Sequence, residues 1–106
     1  DDLVAPALAD LLRLDDAGFR ALFSGSPVKR IGRDRFLRNC LIAAGNSGDA
    51  SLLPAIAACL HDPSPLVRAM AVWAHGELAP ADQHGQIREM MMKTETDEDV
   101  QREWQA

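Results

Sequence analysis

Tyrosine is absent from this sequence, and aromatic residues make up only 5% of it. Strands favour aromatic and β-branched residues, so their scarcity argues against a sheet-based fold. No alternating apolar–polar run suggests a strand. No stretch approaches the roughly 18 consecutive apolar residues of a membrane-spanning helix. No basic-then-apolar start suggests a secretion signal, which points to a cytoplasmic protein. Cysteine is scarce too, with Cys40 and Cys59 only. Both sit in apolar helical runs and are expected as buried thiols. An iron–sulfur cluster takes about four thiolates, so these two cannot hold one. The chain begins with Asp1 and stops soon after Trp104, and is expected to be a fragment of a longer protein.

What is present is apolar and helical. Hydrophobic residues make up 47% of 106 residues, mostly Ala and Leu. That is enough for one core, and it favours an all-α domain over residues 1–106. Leu3, Ala7, Leu8, Leu11 and Leu12 recur at helical spacing in a first helix. Asp15 or Asp16 caps a second, with Phe19, Leu22 and Phe23 on one face. Asp34 is expected to cap a third, with Leu37, Leu41 and Ala44 inward. Asp49 or Ser51 starts a fourth, Ser51 being preferred because it keeps Pro54 in the first turn, and this helix buries Leu53, Ile56, Ala57 and Leu60. Ser64-Pro65 starts a fifth, burying Val67, Met70, Ala71 and Ala74. Asp82 opens a sixth with Ile87, Met90 and Met91, and Asp97 a seventh with Val100 and Trp104.

Two windows repeat. DRFLRNCLIAAGNSGD from Asp34 aligns with SPLVRAMAVWAHGELA from Ser64, placing Arg38 on Arg68 at an offset of 30. A weaker third copy, DEDVQREW, places Gln101 there, six residues after Glu95. A period of this size with two helices per unit marks an α-solenoid. The segment DPSPLVRAMAVWA (62–74) resembles a HEAT repeat, a family in which an Asp and an Arg six residues apart form a polar ladder. Asp62 and Arg68 have that spacing. The expected division is leading helices at 1–27, repeat 1 at 28–62, repeat 2 at 63–96 and a truncated repeat 3 at 97–106.

The chain carries a formal charge of −5, yet five of its eleven cations fall in GSPVKRIGRDRFLRN: Lys29, Arg30, Arg33, Arg35 and Arg38. Clustered guanidinium groups beside a helix N-terminus suit phosphate. The same pattern fits packing against another domain, or an ordinary solvated helix face. The remaining candidates are weaker. His61, His75 and His84 lack metal-ligand spacing and are expected at the surface or at helix ends. The run Met90–Met92 suggests a core stripe with one exposed Met. Trp73 is expected to pack rather than stack on bases, and Trp104 is open between the two.

FRALFSGSPVKRIGRDRFLRNCLIAAGNSGD (19–49), followed by DPSPLVRAMAVWA, resembles the C-terminal part of the epoxyqueuosine reductases. The likeness covers about residues 15–79. It implies a parent with a cobalamin-binding domain, a domain with two [4Fe-4S] clusters and a C-terminal HEAT-like domain, acting at the tRNA wobble position. The cysteine-rich cluster motifs of that family are absent here, as is the segment with its catalytic acid. No catalytic or metal-binding residue is therefore assigned, and this chain alone is not expected to be an enzyme. What the resemblance implies for it is scaffolding beneath the cofactor domains and contact with the phosphates of the anticodon stem. The alternative is a HEAT-type protein-interaction scaffold unrelated to tRNA.

Overall fold

The computed structural model describes the backbone from residue 4 to residue 106 and side chains from residue 8. Leu3 and the Ala7 side chain, expected on the first apolar stripe, lie outside the described residues. Seven α-helices follow in order: α1 Val4–Leu12, α2 Asp16–Leu22, α3 Arg33–Asn46, α4 Leu53–Cys59, α5 Pro65–Leu78, α6 Ala81–Met92 and α7 Glu98–Gln105. Single 3-10 turns at Pro27–Ile31 and Ala50–Leu52 precede α3 and α4. No strand occurs among the described residues, so the all-α solenoid expectation holds.

Helices α3, α5 and α7 pack in series, and α1 and α4 lie against that layer. The core between them is small and aliphatic. Leu37, Leu41 and Ala44 of α3 meet Ile56 and Leu60 beside α4, Val67, Ala71 and Ala74 of α5, and Val100 and Trp104 of α7. Such interdigitation of Ala and Leu lets helices approach closely. At one point no side chain at all is tolerated. A methyl group at Gly45 would overlap the Trp73 ring, so glycine brings α5 against the α3 backbone. Helix α2 is held separately by three aromatic rings. Phe19, Phe23 and Phe36 lie with centroids 4.8 to 5.5 Å apart.

Several local expectations need correction. Ser64 and Asp97 cap α5 and α7, and Asp15 caps α2. Asp34 does not cap α3. Gly32 holds that position at φ +83°, and Asp34 falls in the first turn. Asp82 likewise lies in the first turn of α6, whose cap is Pro80. Asp49, not Ser51, closes the turn before α4 by accepting the Ser51 amide at 3.0 Å. Both carboxylates displaced from caps still lie where the helix dipole favours them. On α4 the buried face is Ala55, Ile56 and Cys59, while Leu53 and Ala57 are half-buried. Leu22 and Met90 point to solvent instead of inward. Met91 and Met92 pack on the core.

Candidate nucleic-acid interface

The five clustered cations do not form one surface. Lys29 and Arg30 project from the 3-10 turn, which Ser26 caps by accepting the Val28 amide at 3.2 Å. They border an open depression of about 630 Å³ with Gly25, Ser26 and Pro27. Gly32 then reverses the chain into α3, a conformation open to glycine because it lacks a Cβ. That turn places Arg35 two residues into α3 and Arg38 about one turn further on, and both line a depression with Leu66 of α5. No acid among the described residues lies within ion-pair distance of Lys29, Arg30, Arg35 or Arg38. The Arg38 contact is a long one, 3.5 Å to the Asn39 side chain.

Arg33 is different. Its guanidinium donates twice to Asp62, at 2.9 and 2.6 Å, and its Nε donates to the Leu14 carbonyl at 2.9 Å. A further bond reaches Asp34 at 3.2 Å. The side chain is only 15% exposed. It joins the segment after α1, the start of α3 and the loop before α5. Four of its five N–H donors are engaged within the protein, which leaves little to offer a phosphate.

The ladder runs differently from the sequence expectation. Arg68 reaches Asp62 through the backbone, donating to its carbonyl at 2.8 Å. The Asp62 carboxylate belongs to Arg33, and it also accepts the Ser64 amide at 3.0 Å. Arg68 gives its paired donors to Glu95, at 2.9 and 3.0 Å. Glu95 in turn accepts the amides of Thr96 and Asp97. Each buried carboxylate therefore fixes the loop that starts one helix and takes an arginine from the first helix of its own unit. Arg68 also holds the Glu95 carboxyl below its usual range, with help from those amides. Gln101 repeats the local half of the pattern, donating to the Glu95 carbonyl at 2.7 Å.

His75 lies in the last turn of α5, a helix end as expected, but it is buried, at 1% exposure. Its Nδ1 lies 2.8 Å from Nδ1 of His84, and the rings stack. One ring must donate and the other accept, so the two cannot both be protonated. Burial lowers both from the ordinary histidine range. The His84 charge adds to this at His75, and Arg88 adds to it at His84. Nine residues of separation across two helices gave no pattern to read. Trp104 packs beside His84 and is buried.

Neither cysteine suits metal chemistry. Cys40 and Cys59 are free and buried, and burial pushes both thiols up to about 11. A cluster binds thiolates. No group of three or more potential metal ligands occurs among the described residues.

Relatives place this geometry in a family. The HEAT repeat family matches residues 52–81, which enclose α4 and α5. An epoxyqueuosine reductase of Xanthomonas campestris is 39% identical over 75 residues, 70% of this chain and 21% of that protein. One from Bacillus subtilis is 30% identical over 104 residues, 96% of this chain and 26% of that protein. The chain is homologous to part of the epoxyqueuosine reductases. A third epoxyqueuosine reductase, from Alicycliphilus denitrificans, is 40% identical over 75 residues, 63% of this chain and 21% of that protein. The chain thus spans about a fifth to a quarter of the length of these epoxyqueuosine reductases. No solved structure matches it significantly. No described helix is long and apolar enough to cross a membrane.

Proposed function

We propose that this chain is the non-catalytic, C-terminal HEAT-like domain of an epoxyqueuosine reductase, and that it holds tRNA through phosphate contacts. The carrying observation is the division of the basic stretch. Lys29, Arg30, Arg35 and Arg38 have no acidic partner among the described residues, while Arg33 is committed to Asp62. Four cations on an acidic chain make a local positive field that orients a polyanion. Arginine forks suit phosphate oxygens. The helical units are taken as 28–62 and 63–96, with 97–106 beginning a third. The thiols of Cys40 and Cys59 do not fit iron–sulfur clusters, so the clusters and cobalamin implied by the family belong to other domains of the parent, in the cytoplasm.

A second reading has its own support. Ile31 and Leu66 are exposed beside the cations, which also suits packing on a neighbouring domain. A salt titration of tRNA binding separates the two. The comparison protein carries Ala at Lys29, Arg30, Arg35 and Arg38 and keeps Arg33. Loss of phosphate contacts makes the log–log slope shallower by roughly 0.7–0.9 per contact. Equal, feeble binding by both proteins overturns the tRNA reading in favour of packing.

A further inference from the structure

A furrow runs along one face of the α3–α5 pair, and its two ends differ. Arg35, Arg38, Ile42 and Asn46 recur every three or four residues on α3, which places them on one stripe. Leu66, Met70 and Trp73 do the same on α5. Arg35 and Arg38 meet Leu66 at one end. At the other, Ile42 and Asn46 meet Met70, Trp73 and Glu103 around a depression of about 300 Å³. N-terminal end meets N-terminal end, so the helices lie parallel and the two depressions lie in line along the groove between them. Arg38 and Ile42 are about 6 Å apart along the helix axis.

We infer that this furrow is a track for single-stranded RNA, in which Arg35 and Arg38 hold phosphates and the Trp73 depression takes one unstacked nucleobase. The inference rests on the tRNA reading above and extends it from a duplex stem to a loop. Its chemistry is that of sequence-tolerant RNA binding, with cations on the backbone and an aromatic for the base. A cavity of about 300 Å³ lies at the lower end of small-ligand sites. Trp73 is half-buried with one edge fixed against Gly45, so the ring is pre-oriented. Asn46 and Glu103 supply amide and carboxylate groups at the rim for the edge of a base. An apolar peptide would find the same depression, but the cations at the other end complement phosphate.

The test uses the 106-residue chain and an anticodon stem-loop RNA, alongside the same hairpin with abasic loop nucleotides. Stacking of one base is worth roughly 5- to 100-fold in affinity. The intact loop is expected to bind more tightly by such a factor and to quench Trp73 fluorescence, with Trp104 as internal reference. Trp73→Leu should erase the advantage of the intact loop and leave the salt slope unchanged. Trp73→Phe, which keeps a ring, should retain part of it. Equal affinity for intact and abasic loops, with the salt slope still dependent on Arg35 and Arg38, overturns the base site and leaves the phosphate reading standing. Binding of neither hairpin overturns both.

Discussion

Arg33 and Asp62 meet across 29 positions of sequence through two hydrogen bonds, the shorter 2.6 Å. The pair removes one cation from the basic cluster and spends it on joining three segments of the fold. Arg33→Met or Asp62→Asn leaves a mostly buried polar partner unmatched. Each should destabilise the domain by about 2–4 kcal/mol. Urea denaturation would measure it, and a change below about 0.5 kcal/mol would remove the pair from the structural account.

Gly45 and Trp73 give a second expectation. Alanine is the better helix former by up to about 1 kcal/mol, so Gly45→Ala would stabilise an unpacked helix. Here the added methyl collides with the indole ring. Overpacking of this kind costs about 1–3 kcal/mol. Net destabilisation, with a shifted Trp73 emission spectrum, is the expected result.

The buried histidines set an acid limit. Their folded-state values are depressed by burial, so the unfolded chain takes up protons first as pH falls. Stability is therefore full above the unfolded value of 6.5 and is lost as pH falls below it. Glu95 is also depressed, but its contribution is lost only as pH falls below 4.5. Denaturation midpoints between those two values should decline for the native chain. His75→Leu should flatten that decline, and a decline of the same slope in the variant would contradict it.

Cys40 and Cys59 should be nearly inert in the folded chain. With thiols near 11 rather than 9.0, the thiolate fraction is lowered about 100-fold. Labelling by a thiol reagent near pH 8 should be slower than in the urea-unfolded chain by at least about that factor. Comparable rates would show that the thiols are exposed.

How much of this was readable in advance divides along sequence distance. Local signals were legible. Ser64-Pro65 and Asp97 mark helix starts, and the apolar stripes of α3 and α5 follow helical spacing. The repeat placed Gln101 on Arg68, and both indeed donate to a carbonyl six residues earlier. Asp34 and Asp82 were harder, because an acid one residue into a helix and an acid at its cap carry the same signal. The pairs Arg33–Asp62 and His75–His84 were not legible. Sixteen acids compete for Arg33 in one dimension, and only the stacking of α3, α4 and α5 selects one. The methionine run does hold a core stripe with one exposed Met, but three in a row leave the helix phase undetermined, and the exposed one is Met90.

The most direct measurement of where RNA meets this domain is amide NMR shift mapping during titration with an anticodon stem-loop RNA. The expected result is perturbation of residues 29–30 and 35–38, continuing along α3 and α5 toward Trp73. Arg33 side-chain signals should keep their bonded character. Perturbation confined to other surfaces, or none at RNA concentrations that saturate the parent enzyme, would contradict the account.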